Sequence, residues 1–393
     1  MNISNVYIGG WFQRTMLQLS EIYDFLRDCK TQLDLDPEKL NEFRKKLEIG
    51  KIDYGVAGEE YIEFTTALNI KIKIFEDGLI ILNNQVVSED TLFADIDHAT
   101  DYYENRLSPA INYLFSLGAP VPKELAGIET IYPYFIVCNN ATKEEMDELL
   151  ARTEKQKYFE FKNTKYDVTR GDKYYFINNK GQTLNNIERY IEEQIFIREY
   201  KGQLHRYLNL HRIIWEKIDA VKEKARVKGS DIVKFNSKLD GYAKTINLID
   251  GRINQMSTYI PTREKIAKGD KELSEFLAIS GYRYETLKDT LDYIKSLWTM
   301  TKNYVTSAQK LFNDLQSDIT NKSISNLTIV TSMGVGASII DLFTSSKPSL
   351  SLFGFIYFFA LAVIGWLVNK AMTSIAKNRI YEINDIDYDK DIK

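Results

Sequence analysis

The feature that most constrains this chain is a run of nineteen residues without a charged side chain, at positions 350–368. A helix of that length is about 28 Å long at about 1.5 Å per residue, close to the ~30 Å hydrocarbon core of a bilayer. Trp366 lies near one end of the run, where an interfacial ring is expected. The run predicts a transmembrane helix over residues 350–369.

A second, weaker apolar segment precedes this run. Residues 327–343 are rich in Ser, Thr and Gly and contain one acid, Asp341. Small and hydroxylated residues suit a helix that packs tightly in a membrane or lines a polar path, although a buried helix of a soluble core has a similar composition. We predict a first transmembrane helix over 323–343, joined to the second by an extracytoplasmic loop at 344–349.

The basic residues around this hairpin predict its orientation. Lys322 precedes the first segment and Lys370, Lys377 and Arg379 follow the second, whereas the loop contains only Lys347. The positive-inside rule then places both termini in the cytoplasm, with a polar cytoplasmic tail at 370–393. The start of the sequence has no basic region followed by an apolar run, so no signal peptide is expected. We predict a multi-pass protein of the inner (plasma) membrane.

Residues 1–180 alternate strand-like and helix-like stretches and predict an α/β cytoplasmic head domain. Asp77-Gly78 lies between two strand-like runs and indicates a hairpin turn, and Thr142 with Glu145 is typical of a capping box. The net charge of −4 is small for 393 residues, so no direct binding of nucleic acid is expected. The two cysteines are far apart and suit a reducing compartment.

Residues 181–322 predict a stalk domain of long helices. Ten positions at alternating spacings of four and three, nine of them apolar, form a coiled-coil-like stripe. They are Leu287, Leu291, Ile294, Trp298, Thr301, Val305, Ala308, Phe312, Leu315 and Ile319. This stripe either packs within its own domain or also faces copies of the chain around a symmetry axis.

The layout resembles the CorA family of divalent-cation channels, which combine an α/β head, long stalk helices and two C-terminal spans in a pentamer. The family commonly has Asn, an apolar residue three positions on, and Leu-Thr-Ile three further; this chain has Asn321, Ile324 and Leu327-Thr328-Ile329. The resemblance implies a homopentamer in the lipid bilayer with Mg²⁺ as a possible ion. The pore-lining residues that it implies are Asn321, Ile324, Leu327, Thr331, Val335, Ser338 and Asp341.

The Gly-Met-Asn tripeptide that closes the first span in the family is absent, and residues 341–346 read DLFTSS instead. One branch of the family lacks the tripeptide, has an enlarged N-terminal domain and is associated with type III CRISPR systems. Similarity to it implies an antiviral membrane effector activated by SAM–AMP, an S-adenosylmethionine–AMP conjugate, and disturbing membrane integrity or ion flux. Two alternatives stay open: a constitutive Mg²⁺-type transporter with a substituted filter, and a membrane-tethered interaction protein without a pore.

A nucleotide ligand needs cations for its phosphates and aromatic faces for its adenine. The candidates in the head are Trp11, Arg14, Arg152, Lys155 and Arg170, and each cation has solvation at the surface as its alternative. No hydrolase or metalloprotease motif occurs, so we predict no enzyme activity, no catalytic residue and no covalent cofactor. His211 lies on an apolar stripe and is expected to be a hydrogen-bonded core histidine.

Overall fold

The fold is described from a computed structural model of the chain. It describes residues 1–12, 18–56, 59–115, 134–153, 156–162, 164–181, 184–222, 226–269, 273, 284–344 and 352–382. These residues form two compact units. The first unit comprises Met1–Leu210 and Leu248–Leu297, and the second comprises His211–Asn247 and Trp298–Lys393.

A nine-stranded sheet forms the centre of the first unit. Its strand order is β2-β3-β4-β5-β1-β6-β9-β8-β7, and β6 with β9 is the parallel pair among otherwise antiparallel neighbours. The strands are β1 (Ile3–Trp11), β2 (Ile49–Val56), β3 (Glu60–Thr66), β4 (Lys71–Phe75), β5 (Leu79–Gln85), β6 (Tyr134–Asn139), β7 (Phe159–Lys162), β8 (Tyr166–Arg170) and β9 (Tyr174–Asn179).

Short helices cover one face of this sheet. They are α1 (Leu19–Asp28), α2 (Pro37–Lys46), α3 (Leu92–Tyr102), α4 (Ser108–Phe115) and α5 (Lys143–Thr153), with a 3-10 turn at Glu89–Thr91 and a π-helical turn at Tyr103–Leu107. Central strand β1 shows why the sheet has two covered faces. Val6 and Ile8 point into the cores beneath these helices, whereas Tyr7 points to the opposite face and hydrogen-bonds Glu188. Alternation with a period of two is the expected geometry of a strand buried on both sides.

The local signals behave as predicted. Asp77-Gly78 makes the turn between antiparallel strands β4 and β5, and Gly78 has a positive φ of 91°. The capping box of α5 is present, because the Thr142 amide donates to the Glu145 carboxylate and the Glu145 amide donates to the Thr142 hydroxyl. Together these features confirm an α/β domain followed by long helices.

The long helices are α6 (Leu184–Lys222), α7 (Gly229–Met256), α8 (Tyr259–Gly269), α9 (Tyr284–Thr344) and α10 (Leu352–Asn378). Strands β10 (Arg226–Lys228) and β11 (Ile380–Glu382) pair antiparallel in a second sheet. The stripe on α9 is buried within this chain from Leu287 to Phe312, while Leu315 and Ile319 are partly exposed. Packing of the stripe within its own chain is therefore confirmed, and contact with other copies stays a prediction.

His211 is hydrogen-bonded as predicted, but it is half-buried rather than part of the core. Its Nε2 lies 2.7 Å from the Thr301 hydroxyl, and its ring contacts Trp215 and Trp298. The predicted boundary at residue 180 falls between the end of β9 and the start of α6. The two compact units divide the long helices differently, so the head and stalk domains stay a prediction.

Candidate functional site

One row of side chains crosses the sheet of the first unit from strand to strand on the face that α6 covers. Directly paired residues of neighbouring strands point to the same face of a sheet. The pairing register gives the row as Lys71, Asn83, Tyr7, Phe135, Tyr175 and Arg170.

A small polar pocket occupies the Lys71 end of the row. The Glu188 carboxylate accepts hydrogen bonds from Tyr7 Oη at 3.1 Å and from Asn83 Nδ2 at 3.1 Å. Lys73 Nζ donates to Glu188 at 3.4 Å and to Glu192 at 3.2 Å. The cavity has a volume of about 10 Å³, about the room that one water molecule needs.

Burial and charge shift the pKa values in this pocket. Burial raises the pKa of the Glu192 carboxyl, although the neighbouring Lys73 ammonium opposes the change. Burial lowers the pKa of Lys73, but Glu192 and Glu188 outweigh it and leave that pKa above its ordinary value. Burial and the Glu188 charge raise the pKa of Tyr7, so Tyr7 is a hydrogen-bond donor at neutral pH. The pocket therefore holds a lysine cation between two glutamates on successive turns of α6.

A buried arginine joins three more carboxylates in the same unit. Arg263 on α8 is 1 % exposed. Its Nε lies 2.6 Å from Asp77, and its Nη1 lies 2.9 Å from Glu59 and 3.1 Å from Glu193. Tyr284 Oη donates a hydrogen bond to Glu193. This cluster, the Arg263 cluster, fastens α8 to α6 and to the sheet through one guanidinium.

The pocket and the Arg263 cluster together contain more acids than bases. Five carboxylates, on Glu59, Asp77, Glu188, Glu192 and Glu193, lie beside the cations of Lys73 and Arg263.

A buried carboxylate that lacks a full counter-charge takes up a proton more readily. Burial raises the pKa of Glu59 to about 8, against the attraction of Arg263, and burial also raises the pKa of Glu193. The arrangement can therefore take up protons near neutral pH. Within the described ranges, no group of three or more His, Cys, Asp or Glu side chains is placed to hold a metal ion.

The residues predicted to bind a nucleotide are placed apart. Trp11 is buried; its indole N–H donates to the Asp77 carbonyl, and its ring packs against Phe196, Tyr200 and Tyr259. Arg152 lies on α5 and forms an ion pair with Glu89 at 3.1 Å.

Arg170 ends β8, three strands from β1 in the sheet order and so roughly 14 Å away at about 4.8 Å per strand. Arg14 and Lys155 lie outside the described residues. A single site that contains all five residues stays a prediction.

The residues predicted to line a pore all lie on α9. Asn321, Ile324, Thr331 and Val335 are exposed. The side chains of Leu327, Ser338 and Asp341 lie outside the described part of the chain, as does most of the predicted loop at 344–349. The pore assignment stays a prediction.

Helix α10 of the second unit exposes large apolar side chains. Phe359 is 72 % exposed and Trp366 is 59 % exposed. The other exposed large apolar residues of this helix are Ile356, Val363, Ile364, Leu367, Val368 and Ile375. Searched over the residues that the structure describes, no helix has both the length and the apolar character required to cross a membrane. The two predicted transmembrane helices are thus without support from the structure.

The solved structures that are similar to this chain include a CmaX protein and a CorA magnesium transporter. The full-length CmaX protein is 9% identical over 64% of this chain and 93% of its own, with a TM-score of 0.30. The CorA magnesium transporter from Methanocaldococcus jannaschii is 10% identical over 62% of this chain and 89% of its own, with a TM-score of 0.20. At these TM-scores the likeness carries no argument about what this chain does. No protein-family model and no curated protein matches the sequence.

The acid-rich pocket and the Arg263 cluster were not predicted from the sequence. A signal was present in α6, where Glu188, Glu192 and Glu193 lie among apolar residues on several faces of the helix, namely Ile187, Tyr190, Ile191 and Ile195. Such a helix is expected to be buried all round, and acids within it then need partners. The partners of these three acids are distant in sequence, so no local pattern reveals them; they are Tyr7, Lys73, Asn83, Arg263 and Tyr284.

Proposed function

We propose that this chain is a membrane-associated protein on the CorA-like plan, in which the C-terminal helices contact lipid and the first unit holds a controlling ligand site. The single observation that carries the lipid contact is the set of exposed apolar side chains on α10, from Ile356 to Ile375. Large exposed apolar surfaces mark sites of contact with membranes or other proteins. The absence of charge over residues 350–368 favours lipid as the contact.

The specific form of the proposal comes from the resemblance to the CRISPR-associated branch. In that form the chain is a homopentameric effector of a type III CRISPR system that binds SAM–AMP in its first unit and then disturbs membrane integrity or ion flux. Support for a charged ligand comes from the polar row across the sheet, which ends in Arg170 and begins beside Lys73.

Two other functions compete with this one. A constitutive Mg²⁺-type transporter shares the layout, but Mg²⁺ selectivity needs a ring of oxygen ligands, and the Gly-Met-Asn tripeptide is missing. A membrane-tethered interaction protein needs the lipid contact but no closed ring of subunits. The observation that favours this third function is that the α9 stripe is already buried within one chain.

The lipid contact is tested by expressing the full chain and washing the membrane fraction with alkaline carbonate. We expect the chain to stay in the membrane pellet. Phe359→Asp places a charge at the most exposed apolar position of α10 and should release a large fraction of the chain. Val233→Asp is the matched control, because Val233 is 60 % exposed on α7, far in sequence from the apolar run. Complete extraction of the unmodified chain would overturn the proposal.

The ligand is tested on the purified full chain reconstituted in dye-loaded vesicles. SAM–AMP and Mg²⁺ are added separately, and light scattering gives the mass of the detergent-solubilised assembly. Dye release by SAM–AMP from a pentamer is the expected result. Mg²⁺ entry without SAM–AMP would support the transporter function instead of the effector function. A monomer or dimer that responds to neither ligand would support the tethered interaction protein.

A further inference from the structure

Tyr175 lies in the row across the sheet between an aromatic ring and a cation. Phe135 on β6 stacks on Tyr175 with ring centroids 4.6 Å apart and an interplanar angle of 18°. Arg170 is the partner of Tyr175 on the opposite side, in β8, and its guanidinium carbon lies 5.4 Å from the ring centroid. Because Phe135 stacks on one face of the Tyr175 ring, the Arg170 guanidinium lies at the other face.

A second guanidinium approaches the same ring from α6. The Arg198 guanidinium carbon lies 5.7 Å from the Tyr175 centroid, and Arg198 Nη2 donates a hydrogen bond to the carbonyl of Asp172. Two like charges thus share one tyrosine ring. Side chains of equal charge at such close quarters repel each other unless an anion lies between or beside them.

Neither guanidinium forms an ion pair in the part of the chain that the structure describes, although the buried Glu199 carboxylate attracts Arg198 from the next position on α6. Arg152 in the same unit shows the contrast, because it contacts the Phe93 ring and also forms an ion pair with Glu89.

Each of the two arginines also has one buried nitrogen without a hydrogen-bond partner, which is Nε in Arg170 and Nη1 in Arg198. A buried donor without an acceptor is unfavourable, and such groups are normally satisfied.

We propose that Arg170 and Arg198 form a binding site for a small phosphate-bearing anion. Two guanidiniums supply two positive charges and several N–H donors, and this combination matches a phosphate dianion better than a single carboxylate. Arg170 Nε and Arg198 Nη1 are buried, so the anion would contact the other nitrogens of the two guanidiniums. Both side chains are partly exposed, so solvent-borne anions can reach them.

The site also differs from the acid-rich pocket at the other end of the row. There Glu188 and Glu192 surround Lys73, so an anion would meet two carboxylates. The phosphate inference stands on the first unit alone and does not depend on the lipid contact. The SAM–AMP experiment and a phosphate titration can therefore fail separately.

The test is a titration of the full chain with inorganic phosphate and with pyrophosphate, at constant ionic strength set by chloride. We expect a saturable rise in melting temperature with either anion, and a heat of binding in calorimetry. Arg170→Met and Arg198→Met keep an apolar stem over Tyr175 but remove the charge, and each should weaken binding at least about tenfold, the loss of one charge-assisted contact. Arg106→Met is the matched control, because Arg106 contacts the Tyr102 ring and pairs with Glu48, and it should bind as the unmodified chain does.

A stability measurement without phosphate supports the same test. Removing either arginine relieves repulsion, so we expect Arg170→Met or Arg198→Met to be no less stable than the unmodified chain at low salt. Arg198→Lys keeps the charge and replaces Arg198→Met as the test variant if the latter does not fold. It should bind phosphate more weakly than the unmodified chain, because lysine lacks the planar fork of donors that arginine has. No effect of phosphate beyond that of chloride, or an equal loss in Arg106→Met, would overturn the proposal.

Discussion

Replacing Arg263 by methionine should destabilise the first unit more than any ordinary surface change. The guanidinium is 1 % exposed and makes ion pairs to Asp77, Glu59 and Glu193, at 2.6, 2.9 and 3.1 Å. Methionine fills much of the volume between the Phe75 and Phe196 rings, each of which lies 5.3 Å from the guanidinium carbon. The variant therefore isolates the loss of charge from the loss of packing.

The size of the effect follows from the carboxylates that are left behind. Removing one partner of a buried ion pair costs about 3–5 kcal/mol, because the other charge stays buried without compensation. Glu59 adds little to this at neutral pH, since its pKa is already raised to about 8. Glu193 keeps the hydrogen bond from Tyr284, and Asp77 keeps the one from the Leu79 amide. We therefore expect a loss of about 3–5 kcal/mol in the free energy of unfolding.

The assay is denaturant unfolding at pH 7 and at pH 5, followed by a signal from the first unit. Without Arg263 the buried carboxyls have raised pKa values, so the folded chain binds protons that the unfolded chain releases. Stability of the variant then rises as the pH falls, and the deficit should shrink by up to about 2.7 kcal/mol for each carboxyl that is protonated between pH 7 and pH 5.

The control is Lys268→Met on the same helix. Lys268 pairs with Glu264 at 2.6 Å, but its side chain is 72 % exposed. Exposed pairs contribute little, so this change should alter stability by less than about 1 kcal/mol. If Arg263→Met also loses less than about 1 kcal/mol, or if its deficit grows at pH 5, the account of the Arg263 cluster given above is wrong.

Three further predictions concern the first unit and the long helices. Folding raises the pKa of Glu59 from 4.5 to about 8, so this group should make the unmodified chain lose about 1.4 kcal/mol of stability per pH unit as the pH rises through that window. Glu59→Gln removes the group, so pH-dependent unfolding of the variant should show a shallower decline. Gly9→Ala would place a Cβ 2.4 Å from the Ile80 carbonyl oxygen and should lower the free energy of unfolding by about 2–3 kcal/mol. Gly251→Ala has open space around it in α7 and should raise that free energy by about 0.5–1 kcal/mol. Thermal unfolding measures both changes. Thr142→Ala removes the cap of α5 and should lower the denaturation midpoint by the equivalent of about 1 kcal/mol, with an unchanged m-value.

Features written in a few neighbouring residues could be predicted from the sequence. The turn at Asp77-Gly78, the capping box at Thr142 and the stripe on α9 each depend on spacings of two to four residues. Such short-range patterns follow from the geometry of the turn or helix itself. They are sufficient to predict an α/β domain followed by long helices.

Features that depend on pairing between distant strands could not be predicted. A Gly-Gly pair is a common signal of a bulge or turn, but Gly9 and Gly10 both lie inside β1. The reason is close approach: a Cβ on Gly10 would lie within 3 Å of the Tyr103 ring, and one on Gly9 would meet the backbone of β5. The row that brings Arg170 and Tyr175 together likewise requires the strand order, which a single sequence does not reveal. Arg198, between Ile197 and Glu199 on α6, gave no sign of its partners in the sheet.

The short sheet of β10 and β11 has a consequence for the order in which the chain folds. Its pairing joins Arg226–Lys228 to Ile380–Glu382 and closes a loop of about 150 residues. Loop closure over such a separation is slow, and it must wait until the last part of the chain has left the ribosome. Until then β10 has an unpaired edge that another nascent chain can reach. A chain truncated after Asn378 would keep that edge open permanently, and we expect it to aggregate while α10 itself is still intact.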